Sequence, residues 1–181
     1  MIVDIETTGL SRYRHKITEI CALKYRDGKV VDEFSSLVNP ECSIPRFITR
    51  LTGIDNEMVK DSPTIGEVIP DFAGFVKGCS LVAHNATFDF NFLNHAVQEH
   101  LGKELDNSVI CTCRLARRLL PELPSKKLGC ICEHFSIDNL AAHRAKGDAL
   151  ATTEIFSKFL EMVDVEDVPG LIRFQKSKIP R

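Results

Sequence analysis

MIVDIETTGL, residues 1–10, is an apolar run that carries two acids and ends on Thr7-Thr8-Gly9. Residues 1–5 predict a β-strand, and because strand side chains alternate with a period of two, Asp4 and Glu6 point to the same side of the sheet. The small residues that follow make a tight turn, where backbone N–H groups and hydroxyls can come close to a ligand. Working outward, residues 17–25 and 29–38 read as strands flanking Asp27-Gly28, a two-residue hairpin signal, so the sheet begins antiparallel. The pattern over 45–77 turns helical in pieces, with breaks at Gly53 and near Pro63 and Gly66. Residues 80–83 are a short strand, Asn85 caps a helix running to about His100, and 109–112 form another strand. Helices follow over 113–120 and 126–135, and a long one over 146–162. Three strands first, then strands alternating with helices, imply an α/β domain with a mixed sheet.

The composition suits a folded, water-facing chain: of 181 residues, 44% are hydrophobic and 27% charged. No apolar run approaches the roughly 18 residues of a membrane span. The first residues lack a basic leader and a cleavable apolar core, so a cytoplasmic protein with no membrane partner is expected. Seven scattered cysteines fit a reducing compartment better than a disulfide framework. The pairs Cys111/Cys113 and Cys130/Cys132 are C-x-C in apolar surroundings, and read as small buried side chains rather than a zinc site. A net charge of −2 argues against gripping nucleic acid by the overall field, so any such binding is local and helped by cations.

The carboxylates carry the chemistry. An isolated D-x-E is usually a pair of surface acids, but Asp89 adds a third of a different kind. It shares a helical face with Phe92, Leu93 and Ala96, at offsets of three, four and seven. A carboxylate on that stripe costs several kcal/mol in desolvation unless a cation or hydrogen-bond donors receive it. Asp148 repeats the pattern on the last long helix, where Ala151, Thr152, Ile155, Phe159 and Met162 mark the buried side. His143 lies five residues before Asp148, about 140° away around a continuous helix, so the two share a site only if the helix starts after His143. In the loop ahead of it, beside an acidic site, His143 becomes a candidate base. His84 is expected to order the Asn85 cap and its turn.

VDIETTGL, HNATFDFNFL and HRAKGDA, in this order, resemble the three motifs of the DEDDh group of DnaQ-like 3′–5′ exonucleases, and LTGI at 51–54 resembles a further turn of that family. The resemblance implies a ribonuclease H-like fold, a mixed five-stranded sheet flanked by helices, in an exonuclease domain spanning 1–163. Within the family it points to the proofreading subunits and domains of bacterial replicative polymerases. It further implies that Asp4, Glu6, Asp89 and Asp148 hold two divalent cations per site, with His143 as general base. All-oxygen ligands suit Mg²⁺ or Mn²⁺. The implied partners are single-stranded or frayed 3′ ends of DNA, with RNA as the alternative, and a polymerase subunit. Thr7, Thr8, Gly9, Leu10, His84, Asn85 and Phe88 are the candidate substrate contacts; Phe92 reads better as core. Arg144, Lys146, Lys126 and Lys127 are candidate phosphate contacts or solvated charges alike. A non-catalytic nucleic-acid-binding module is the rival reading. Only three residues precede Asp4, which makes the first strand short and leaves room for missing upstream sequence. The stretch 164–181, basic and holding two prolines, reads as a solvated tail.

Overall fold

The computed structural model of the chain describes residues 1–164 and 168–176. A five-stranded sheet runs in the order β3-β2-β1-β4-β5, where β1 is Ile2–Thr7, β2 Ile17–Arg26, β3 Lys29–Leu37, β4 Leu81–Ala83 and β5 Val109–Cys111. Strands β1, β2 and β3 pair antiparallel, while β4 joins β1 and β5 joins β4 in parallel, which is the mixed sheet expected. The β2–β3 hairpin turns on Asp27 and Gly28 with φ of 49° and 80°, the pair of positive values that a type I′ turn needs.

The described residues form eight helices, α1 (Arg46–Thr52), α2 (Asn56–Val59), α3 (Ile65–Phe75), α4 (Thr87–Leu101), α5 (Thr112–Leu119), α6 (Leu128–Phe135), α7 (Ala145–Met162) and α8 (Val168–Lys176), of which α1 and α2 pack a small cluster of their own around Ile48, Ile54 and Val59. Alternation along β1 feeds two cores. Val3 and Ile5 pack with Ile20, Phe72 and Leu93 under α3 and α4. Ile2 packs with Leu23, Leu115, Ile155 and Phe159 under α5, α6 and α7. By the same period Asp4 and Glu6 belong to the α7 face, and residues 17–23 of β2 are buried throughout because both faces of the sheet are covered. None of the helices among the described residues is long and apolar enough to cross a membrane.

Several expectations need correction. Asn85 does not cap α4: it takes the left-handed conformation, φ 60°, and its carbonyl accepts from the Phe88 amide at 2.9 Å. Asn suits both roles, because its short polar side chain tolerates left-handed backbone as readily as it caps. His84 does not order that turn either; its ring nitrogens lie 2.9 Å from Thr112 Oγ1 and 2.9 Å from the Lys126 carbonyl, tying β4 to the starts of α5 and α6. Gly66 lies inside α3, which begins after Thr64, whose amide and hydroxyl donate to the Glu67 carboxylate at 2.7 and 2.8 Å. Met162 is 45% exposed rather than on the buried side of α7.

The expected tail also behaves differently over its described part. Residues 168–176 form α8, with Leu171 in the core. Gln175 donates to the Val109 carbonyl and accepts from the Cys111 amide, both at 2.8 Å, so its side-chain amide satisfies backbone groups on edge strand β5. Helix α8 thus covers an open sheet edge, a role that a basic, proline-bearing stretch does not announce.

Candidate active site

Asp4 and Glu6 project from β1, and Asp148 meets them from the first turn of α7; one ligand oxygen from each lies within 4.8 Å of the others. All three are half-buried. Asp148 is therefore not a core carboxylate, as the helical stripe suggested, but sits at the rim, where Asn139 Nδ2 donates to it at 2.6 Å and the His143 amide at 3.3 Å. Asp89 lies outside that tight trio yet near it. It comes from the first turn of α4, which packs on the other face of the sheet, but its carboxylate is held by the Ile5 amide on β1 and is the foremost charge acting on Asp4; it is 4% exposed. Helix α7 starts at Ala145, so His143 falls in the preceding loop as required, exposed and in the left-handed conformation at φ 62°.

Crowding these acids has a clear electrostatic result. Burial, then the charges of Asp89, Asp148, Glu6 and Glu19, push Asp4 well above the usual carboxylate range. Burial, then Asp148 and Glu19, push Glu6 up to about 8. Burial pushes Asp89 up to about 7, against the pull of backbone amides of Asp89 itself and Ile5. Near neutral pH the cluster cannot hold its full negative charge alone, and a hard divalent cation with oxygen ligands is the partner that fits it.

The sign of the linkage follows. Carboxyls whose folded-state values are raised give stability that is present below their unfolded values near 4, and that is lost as pH rises through about 7 for Asp89 and about 8 for Glu6. In EDTA the melting temperature is expected to fall between pH 5 and pH 8.5, and millimolar Mg²⁺ or Mn²⁺ to restore it at the upper end. A metal-independent, flat melting profile would count against the cluster as a cation site.

A residue missed from sequence completes the cluster's surroundings. Glu19 stands directly opposite Glu6 in the β1–β2 ladder, just before the register shift at Glu6/Thr7, and is 5% exposed. Arg144 forks onto its carboxylate, Nη2 to Oε1 at 2.6 Å and Nε to Oε2 at 3.1 Å. The only signal in the sequence is a charged residue inside an apolar strand; its partner lies 125 positions away.

Beside Glu6 opens a cavity of about 470 Å³, lined by Ile5, Thr7, Gly9, Leu10 and Phe88 and, from α1, by Phe47 and Leu51. Leu10 is 86% exposed, Phe47 59% and Leu51 51%, so large apolar side chains stand at the mouth, uncovered. Leu51 belongs to the quoted LTGI turn, whereas Phe47 had no signal at all. Phe88 and Leu10 also line a second hollow of about 280 Å³ with Tyr13 and Asn91. Phe92 is buried, as core.

The other candidate contacts divide. Thr7 is at the cavity, but its hydroxyl donates to the Gly9 carbonyl at 2.7 Å. Thr8 is buried, and its hydroxyl accepts from the Lys16 amide. Gly9 is required for a nearer reason than ligand approach: a Cβ there would come within 2.4 Å of the His15 ring, which folds the 9–15 loop by accepting from the Ser11 amide. His84 and Asn85 do not line the cavity. Among the candidate phosphate contacts, Arg144 is paired with Glu19, Lys146 with Glu33 at 2.9 Å, and Lys126 with the Leu123 carbonyl.

Comparison with known proteins gives the family. The exonuclease family RNase_T matches residues 1–156. The chain is 48% identical over 161 residues to the PolC-type DNA polymerase III of Caldanaerobacter subterraneus subsp. tengcongensis, covering 89% of this chain but 11% of that protein. It is 36% identical to the DNA polymerase III subunit epsilon of Aquifex aeolicus over 182 residues, 98% of this chain and 90% of the relative. Among solved structures, exonuclease X in complex with 5′ overhanging duplex DNA superposes with a TM-score of 0.77 at 28% identity, covering 96% of this chain and 98% of that one.

Proposed function

Because the chain belongs to the RNase_T exonuclease family, we propose that it removes nucleotides from 3′ ends of DNA by hydrolysis, in a proofreading or repair role. The observation that carries this reading is the convergence of Asp4, Glu6 and Asp148 within 4.8 Å at the edge of an open apolar cavity. A phosphodiester is an anion, and these acids repel it unless cations intervene. Asp4, Glu6 and Asp148 would hold one divalent ion and Asp4 with Asp89 a second, Mg²⁺ or Mn²⁺. Such a pair stabilises the attacking and leaving oxygens of an in-line displacement.

The chain's own groups do the rest. Leu10, Phe47, Leu51 and Phe88 offer the terminal nucleoside an apolar seat, with Glu6 and Thr7 at its inner wall. His143 accepts a proton of the attacking water; the bond from phosphorus to the 3′ oxygen breaks, that oxygen takes a proton from solvent to become the new 3′-hydroxyl, and a nucleoside 5′-monophosphate leaves. Residues 1–163 carry every group this reaction uses. A polymerase as partner is supported by the epsilon and PolC-type relatives, although the chain spans about a tenth of the latter's length.

Incubating 5′-labelled single-stranded, paired and mismatched DNA, and RNA of the same sequence, with Mg²⁺ or Mn²⁺ tests the proposal. A ladder shortening from the 3′ end, metal-dependent and faster on frayed DNA than on RNA, is expected. Preferential shortening of RNA would move the substrate assignment, and no cleavage of any 3′ end would overturn hydrolysis itself.

A further inference from the structure

Helix α7 begins without a side-chain cap of its own: its N-cap residue is Arg144, and the first amides of any helix have no partner within it. One of them, that of Ala145, donates instead to Glu19 Oε2 at 2.8 Å, the same oxygen that accepts from Arg144 Nε. A carboxylate on strand β2 therefore receives three hydrogen bonds from the junction where the loop becomes the helix. The junction is otherwise drawn tight. The Arg144 amide donates to the Ala141 carbonyl at 3.2 Å, and the Arg144 carbonyl accepts from the Asp148 amide at 3.0 Å. Gly147 presses on Ala141 so closely that a Cβ would come within 2.1 Å of its carbonyl oxygen. His143 stands immediately before Arg144, and Asp148 four residues after it.

The location on β2 matters as much as the bonds. Glu19 faces Glu6 directly across the ladder, and like charges at opposed positions repel. Arg144 offsets that repulsion with a planar two-point contact. The same contact registers α7 against the strand pair that bears Asp4 and Glu6. Ala149, Thr152 and Ile155 give α7 apolar packing on the sheet, and Lys146 with Glu33 at 2.9 Å and Ser157 with Tyr25 at 3.2 Å add single polar contacts to it; the fork on Glu19 is the two-point contact, and it sits at the helix start beside His143 and Asp148.

We propose that Glu19 and Arg144 are a positioning pair for the hydrolysis, fixing the start of α7 so that Asp148 and His143 meet the β1 acids in register. The pair touches no substrate and acts through the residues on either side of it. This rests on the hydrolytic reading above, and the test separates the two.

In steady-state cleavage of 5′-labelled single-stranded DNA with Mg²⁺, Glu19→Gln and Arg144→Met each lower kcat by roughly 10- to 100-fold, the scale of a small misplacement of reacting groups, with KM within about threefold. The double variant is no slower than the slower single, because both remove one contact. Arg144→Lys keeps the charge but loses the fork, and recovers only part of the rate. Calorimetric titration with Mn²⁺ alone gives a readout independent of turnover. If Arg144 merely opposes cations by its charge, Arg144→Met binds Mn²⁺ more tightly; if it positions Asp148, binding weakens several-fold. Should Arg144→Met not fold, Arg144→Lys makes the same comparison, weaker binding supporting the pair and unchanged binding opposing it. Multiplicative losses in the double variant, or tighter Mn²⁺ binding, overturn the proposal. Absence of turnover in the unaltered protein would instead count against hydrolysis, with the Mn²⁺ series still deciding the pair.

Discussion

Asp4→Asn lowers kcat by at least about 10³-fold and at the same time raises the melting temperature of the metal-free protein. The loss follows from removing several kcal/mol of stabilisation of transition-state charge, each 1.36 kcal/mol being about tenfold. Burial does most to raise the Asp4 carboxyl, and the charges of Asp89, Asp148, Glu6 and Glu19 converge on it and add to that effect. An amide of the same shape removes the charge and leaves the packing. Relief of that repulsion should stabilise the fold by roughly 1–2 kcal/mol, or about 2–8 °C for a chain of this size. Since the Asp4 carboxyl is raised, it is already protonated in the folded protein at low pH, so the variant's advantage in EDTA is small near pH 5 and grows towards pH 8.5. Adding Mg²⁺ narrows it again by stabilising the unaltered protein alone. Calorimetric melts with and without the ion, beside a labelled-DNA assay, check both halves. Unchanged turnover, or a metal-free variant that melts lower at every pH, would be incompatible with the assigned cation cluster.

Local rules reached as far as local causes act. The period of two put Asp4 and Glu6 on one face, and the Asp-Gly turn gave the antiparallel start of the sheet. The 3.6-residue stripe correctly buried Asp89, because Phe92, Leu93 and Ala96 pin that face of α4 to the core. The same stripe misjudged Asp148. It lies in the first turn of α7 between the fully buried Ala145 and Ala149, yet its carboxylate is half-exposed beside Asp4 and Glu6, an opening set by the neighbouring strand that the helix's own apolar face does not announce. Partnerships across long separations were illegible for a related reason: Glu19 with Arg144, His84 with Thr112 and Lys126, and Gln175 with β5 are set by topology. Phe47 and Leu51 illustrate the last limit. In sequence an apolar residue reads as core, and only the fold shows these two exposed beside the acids.

The separation between backbone and side chain at His143 makes the general base testable without confusion. His143→Asn is expected to lower kcat by about 10²- to 10⁴-fold, with KM for DNA and the affinity for Mn²⁺ close to those of the unaltered protein. Asparagine is the informative replacement because the residue sits at φ 62°, a left-handed conformation that Asn adopts with little strain and Ala less readily. The backbone amide of residue 143 also matters, since it donates to Asp148 Oδ2, and that bond survives in the Asn variant. His143→Ala removes the same ring but adds a backbone cost, so comparing the two apportions any loss between base and loop. Equal rates in the two variants, both far below the unaltered protein, assign the effect to the imidazole. Near-normal turnover in His143→Asn would dismiss the ring as base and leave the loop's contribution to its amide. Slow turnover in His143→Ala alone would point to strain at the Asp148 anchor, with the proton passing to solvent.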